Sequence, residues 1–161
     1  MDNLSHNLSG YDSNPAPNGD AHQARAPKAI VEIWLGYLGL LPFIYLLLPL
    51  PVPIAVSQAD IFIGYSCIIL AFMAGSLWRH SAGASILSNV IAVAAFIILL
   101  LPLPLTISLI LLVVLYLDVL WWEAGWCRGA NGYPLWYWQL RYRLTTAVVI
   151  CHGVLLVKVL I

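Results

Sequence analysis

The chain has 161 residues, 62% of them hydrophobic and 9% charged, with seven Lys and Arg balanced by seven Asp and Glu. Soluble domains average about 45–50% apolar residues, so this composition excludes an ordinary soluble fold. Zero net charge excludes the basic footprint of a nucleic-acid binder. What remains is an integral membrane protein, and the information lies in where its few charges fall.

Residues 1–29 are rich in Asn, Ser, Gly, Pro and Asp. They carry too little apolar surface to offset the entropy of ordering, so they are expected to form a disordered polar tail. The tail has no apolar stretch of the kind a signal peptide needs, and its three aspartates and single arginine argue against a mitochondrial presequence. Asn3 and Asn7 head glycosylation-type triplets, which matter only in a glycosylating lumen.

Five apolar runs follow, at about Ile30–Leu50, Ile61–Trp78, Ala84–Leu101, Leu105–Trp122 and Leu144–Ile161. Each approaches the ~20 residues a helix needs to cross a bilayer. A membrane barrel would instead show short alternating segments. The predicted fold is all-α: a bundle of five transmembrane helices over residues 30–161, preceded by the tail. "PLP" at 102–104 breaks the third run from the fourth, because two prolines in three residues end a helix, and it predicts a tight helical hairpin.

Six of the seven basic residues, Arg25, Lys28, Arg79, Arg128, Arg141 and Arg143, then fall on one side of the five spans, with Lys158 near the far end of the last. The positive-inside rule makes the six-residue side cytoplasmic, with the N-terminus inside and the C-terminus outside. The expected location is a bacterial inner membrane, with the mitochondrial inner membrane as the alternative. Arg141 and Arg143 are expected to anchor the start of the last helix in a belt of Trp136, Tyr137, Trp138 and Tyr142. Small residues four apart predict close helix contacts along Cys67, Ala71 and Gly75, and along Ala84, Ser88 and Ala92. Gly36, Gly39 and Pro42 allow a bend or a close crossing in the first span.

Asp118 is the most informative polar residue, because a carboxylate within an apolar helix is costly unless paired, protonated or hydrated. Arg79, Asn89, Arg141 and Arg143 share its depth. The expected cluster is a structural ion pair locking helices, with a site for an anionic headgroup, a proton or a small substrate as the alternative. Arg141 is the expected partner of Asp118, with Arg143 and Arg79 as alternatives. His152, ~13 Å beyond Arg143 at helical rise, is expected to be neutral and bonded to a neighbouring helix. Asp60 and Glu32 suit helix N-termini, and Glu123 is expected to be solvated at the interface. The three cysteines show no disulfide or zinc spacing, and Cys67 and Cys151 read as small core residues. No catalytic, metal or cofactor motif is present, so no catalytic residue and no cofactor is expected.

The segments "LGYLGLLPF" (35–43), "ILAFMAGSLWRH" (69–80) and "WQLRYRLTTAVV" (138–149), with Asp118 between them, resemble the domain of unknown function 3429 family. These are small multi-span proteins that include transmembrane protein 69-like proteins. The resemblance covers about 31–150. It rests on a Gly-Leu-x-Pro-Phe element (Gly39 and Pro42, with Gly36 ahead of it), a Gly-x-x-Trp element (Gly75 and Trp78) and an Arg-x-x-Leu-Thr element (Arg141, Leu144 and Thr145). Arg79 and His80, directly after the tryptophan, depart from that pattern. The resemblance implies the multi-span architecture and brings no established activity. The favoured function is a non-enzymatic assembly, scaffold or helper protein. A small transporter or a lipid-headgroup or anion binder is the alternative. Expected partners are the lipid bilayer and other membrane proteins or a second copy of the chain, and no nucleic acid.

Overall fold

In the computed structural model, residues 25–48, 56–79, 81–127 and 135–161 are described. The predicted tail up to residue 24, the 49–55 connection and Arg128 lie outside them. The described chain is helical: α1 (Arg25–Leu38), α2 (Leu41–Leu47), α3 (Gln58–Gly75), a 3₁₀ turn (Ser76–Arg79), α4 (Ala82–Leu100), α5 (Leu105–Cys127) and α6 (Leu135–Leu160). The chain divides into two units, Met1–Glu32, described only as the first turns of α1, and Ile33–Ile161, which holds the bundle.

Five segments are long and apolar enough to cross a membrane: Ile30–Leu47, Gln58–Trp78, Ala82–Leu100, Leu105–Gly125 and Leu135–Leu160. Their number and order match the sequence expectation. The last span differs, since its helix starts at Leu135 rather than at Leu144. Arg141 had been placed at the water interface because it is charged, but the bundle neutralises it internally and the helix runs through it. α1 likewise starts at Arg25, inside the expected tail.

Local chemistry sets the breaks. Pro42 has no N–H to return to the Leu38 carbonyl, so the first span is interrupted by a turn at Gly39–Leu40 and restarts with Pro42 in the first turn of α2. Leu40 N–H bonds the Tyr37 carbonyl at 3.0 Å, and the Tyr65 hydroxyl donates to the Gly39 carbonyl at 2.8 Å. The Leu40 N–H and the Gly39 carbonyl at the break are thus partnered within the bundle, as lipid requires. Ser57 caps α3 by accepting from Asp60 N–H at 3.1 Å, and Ser81 caps α4 by accepting from Ala84 N–H at 3.1 Å. Asp60 stands in the first turn of α3, where a carboxylate favours the helix dipole. The Pro102–Pro104 hairpin forms as expected, with the Ile107 and Ser108 N–H groups bonding the Pro104 carbonyl at 2.9 and 3.1 Å.

α3 packs against α2, α4, α5 and the 3₁₀ turn, and α6 packs against α2 and α5. Side chains of α3 and α6 meet across the middle of the bundle, as the site described below shows. The core is Phe43, Phe62, Leu70, Leu77, Ile91, Leu109, Leu112, Tyr116, Val119 and Val148, all 2% exposed or less. Large apolar side chains cover the outside, among them Phe72 at 78% and Trp121 at 77% exposed. Such a surface calls for hydrocarbon or a protein partner rather than water.

On α4 the small-residue stripe holds at Ala84 and Ser88, which are buried and continue into Ile91 and Ala95. On α3 it does not. Cys67 is buried, but Gly75 is exposed and a Cβ there would meet nothing within 4 Å. The packed face of α3 turns instead through Ser66, Leu70, Met73 and Ala74.

The close crossing lies at Gly36. A Cβ placed there would sit 2.7 Å from Leu144 Cδ1 and 3.8 Å from Leu140 Cδ1. The first span and α6 therefore approach through a glycine. Gly36→Ala is expected to change stability by less than about 1 kcal/mol, since the displaced atom is the end of a flexible side chain and Ala favours the helix. Gly36→Leu is expected to cost about 1–3 kcal/mol by overpacking. Equilibrium unfolding in bicelles checks both.

Candidate functional site

The polar interior has two layers. The first is centred on Arg141, which is 8% exposed. Its Nε donates to Glu123 Oε2 at 2.6 Å, and its Nη2 donates to the Met73 carbonyl at 2.7 Å and to Ser76 Oγ at 2.8 Å. Glu123 is 0% exposed, and its second oxygen accepts from the Tyr137 hydroxyl at 3.1 Å. Ser76 Oγ donates to the Met73 carbonyl at 2.8 Å, and it lies 3.4 Å from Glu123 Oε1. One guanidinium thus joins α3, α5 and α6.

The end of α3 explains the choice of acceptor. Met73 stands in the last turn before the 3₁₀ segment, where its carbonyl accepts from the Ser76 N–H and is left with room for a second donor. A cation at that end also meets the negative pole of the helix dipole. Arg141 therefore caps α3 and neutralises Glu123 at once. Lys158 caps α2 at the opposite end of the bundle, donating to the carbonyl of Leu47, the last residue of that helix.

The second layer lies deeper and centres on His152, 1% exposed. Nδ1 is 2.8 Å from the Val148 carbonyl, which can only accept, so Nδ1 carries the proton. In the neutral ring Nε2 then accepts from Ser66 Oγ at 2.9 Å. The Tyr116 hydroxyl donates to the Ser66 carbonyl at 2.9 Å. Phe62, Tyr116 and Phe43 surround the imidazole at centroid distances of 4.9, 5.6 and 6.0 Å. The expectation of a histidine bonded to a neighbouring helix is met by Ser66 of α3. Thr145 lies between the two layers along α6, buried at 1%, and its Oγ1 has no hydrogen-bond partner among the described residues.

The expected cluster is only partly assembled. Arg141 is paired, but with Glu123 and not with Asp118, which corrects the predicted ion pair. Asp118 is half-buried and has no hydrogen-bond or ion-pair partner among the described residues. Glu123, expected to be solvated, is the buried carboxylate. The reason is rotation. Five residues turn a helix by about 140°, so only one of the two acids can face the core. Glu123 continues the buried line Leu109, Leu112, Tyr116 and Val119, spaced three and four apart, and Asp118 does not. That spacing was the signal in the sequence that singled out Glu123.

Arg143, two residues past Arg141, is exposed. Asn89 is exposed on α4, where its Nδ2 donates to the Ser85 carbonyl of its own helix at 2.9 Å. Arg79 ends the 3₁₀ turn, and its side chain is outside the described part. Of the positions that carried the family resemblance, Gly36 packs on Leu144, Gly39 and Pro42 form the break, and Thr145 faces the core. Gly75 and Trp78 face outward, Trp78 at 59% exposed.

Removing one partner of a buried hydrogen bond costs about 1–3 kcal/mol, whereas replacing both by apolar groups is nearly neutral. Ser66→Ala is therefore expected to destabilise by about that amount, and Ser66→Ala with His152→Phe to recover most of it. Unfolding in bicelles measures both. A double variant less stable than Ser66→Ala by more than about 1 kcal/mol would show that His152 is held by something other than Ser66.

No curated protein and no solved structure matches the chain. A family model described as "Protein of unknown function (DUF3429)" matches residues 28–157, which include every residue of both polar layers and of the Gly36 crossing. The chain belongs to the DUF3429 family.

Proposed function

We propose that this protein is a non-enzymatic assembly or scaffold component of the bacterial inner membrane, with its N-terminus in the cytoplasm and its C-terminus outside. The observation that carries the reading is the pairing of Arg141 with groups of its own chain. Three of the guanidinium N–H groups and both oxygens of Glu123 are used within one chain, and the pair is buried. A ligand-binding arginine needs donors free to meet an anion. Here three of the five hold helices instead. The groups left for a partner are on the outside: apolar side chains, Trp121 and Trp78 among them, and the half-buried Asp118.

Orientation rests on the basic residues. Arg141 is drawn into the bundle by Glu123, so its charge no longer enters the loop count. Arg25, Lys28, Arg79, Arg128 and Arg143 still fall on one side, and Lys158 stands at the other end. The positive-inside rule then makes the five-residue side cytoplasmic.

Two measurements test this reading. Liposomes containing the purified protein are expected to pass protons and phosphate no faster than empty ones, while a photocrosslinker at Trp121 captures the same membrane protein in repeated native preparations. Phosphate flux lost on Arg141→Gln, with folding intact, would contradict the scaffold and support a transporter. An alkaline phosphatase fused after Ile161 is expected to be active and one fused after Ala29 inactive; the reverse result would invert the topology.

A further inference from the structure

The outward face of α4 carries a polar group that lipid cannot satisfy. Asn89 is seven residues from Ala82, the first residue of α4, so it lies ~10 Å along a helix with a rise of ~1.5 Å per residue. α4 has 19 residues, about the length that crosses the hydrocarbon, so a span that begins at Ala82 carries Asn89 inside it. Its side chain is exposed. One amide hydrogen goes to the Ser85 carbonyl at 2.9 Å, and among the described residues Oδ1 has no partner. A second N–H and a carbonyl oxygen are thus presented side by side to the bilayer.

Around Asn89 the face is a regular seam. Ile86, Val90, Val93 and Ile97 are spaced four, three and four apart and are 67%, 58%, 56% and 46% exposed. A repeat of 3.5 residues keeps one stripe against a partner helix that crosses at about 20°. β-Branched side chains fill that stripe here, and they lose little rotamer freedom on packing.

We propose that this face is a homodimer interface, in which α4 packs in parallel against α4 of a second copy and the two Asn89 amides exchange hydrogen bonds. The hydrogen-bond chemistry selects the occupant. A lipid chain offers no donor or acceptor. An amide with one free N–H and one free C=O is its own complement, and a twofold axis along the membrane normal brings two copies to the same depth. Asp118, half-buried on α5, lacks this property, since two carboxylates at one depth repel. The interface requires nothing of the scaffold role and stands or falls separately.

The test uses the full chain in dilute liposomes, where single-molecule photobleaching counts copies. Wild type is expected to bleach in two steps. Asn89→Ala is expected to weaken dimerisation by about tenfold, in line with interhelical polar pairs in membranes. Asn89 is exposed and its one bond stays within its own helix, so the variant keeps its fold. For location, Cys67, Cys127 and Cys151 are replaced by Ala, and a single cysteine is placed at Val93 or at Ile68. Ile68 is a lipid-facing residue of α3, 65% exposed and about ten residues from the same end of the bundle. Oxidation is expected to crosslink Val93→Cys pairs and to leave Ile68→Cys monomeric. Single-step bleaching of wild type, equal crosslinking at both sites, or an unchanged dimer in Asn89→Ala would each overturn the proposal. So would crosslinking of Val93→Cys only to a different protein in native membranes.

Discussion

Arg141 is the point on which this bundle depends. Lipid supplies no hydrophobic force between helices, so packing and hydrogen bonds must hold them. Arg141 reaches the Glu123 carboxylate of α5 at 2.6 Å and the Met73 carbonyl of α3 at 2.7 Å, from its own position on α6. A buried charge is tolerated when it is paired and its remaining donors are used. Glu123 supplies the pairing and two further N–H groups are taken by Met73 and Ser76, which fixes the rotation of three helices at once. The Met73 carbonyl at the end of α3 takes part in the same step, because it supplies an acceptor where the helix dipole is negative. The His152 layer repeats this logic with neutral groups: Ser66 of α3 answers the imidazole of α6, and Tyr116 of α5 closes onto the Ser66 carbonyl.

The two layers lie one heptad apart on two of the helices. Met73 follows Ser66 by seven residues and Glu123 follows Tyr116 by seven. Seven residues are two helical turns, which keep the same face toward the core. Interior polarity is therefore confined to one stripe per helix, with Leu70, Leu112 and Val119 along the stripes excluding water. Thr145 breaks the pattern. Its buried hydroxyl, between the two polar layers, has no partner among the described residues.

Much of the fold was legible from run length alone. Five apolar stretches near bilayer length and a Pro-Leu-Pro break leave little freedom, and the spans and the hairpin follow. The site was harder to read, because charge shows depth and not direction. Asp118 and Glu123 differ by about 140° of helical rotation, and a reading by depth favoured Asp118. The buried spacing of Leu109, Leu112, Tyr116, Val119 and Glu123 carries the missing direction. Arg141 and Arg143 show the same limit: two residues apart, one is buried and the other exposed. The start of α6 is hard to read for a related reason: an arginine marks the water boundary only when its partner does not lie inside the bundle, and the partner of Arg141 does. Ser66 was invisible as a partner for His152 because nothing in the sequence says which helices lie opposite each other.

The most direct test of this account is a double-mutant cycle at the ion pair, read by equilibrium unfolding in bicelles. Glu123→Leu alone and Arg141→Met alone should each cost about 3–5 kcal/mol, because each leaves a buried charge uncompensated. Together they should cost well below the sum, since apolar groups of similar size replace both charges and Ser76 still serves the Met73 carbonyl. Asp118→Asn should add independently to Arg141→Met, within about 0.5 kcal/mol. Additive losses for Glu123 and Arg141, or strong coupling of Arg141 to Asp118 instead, would contradict it.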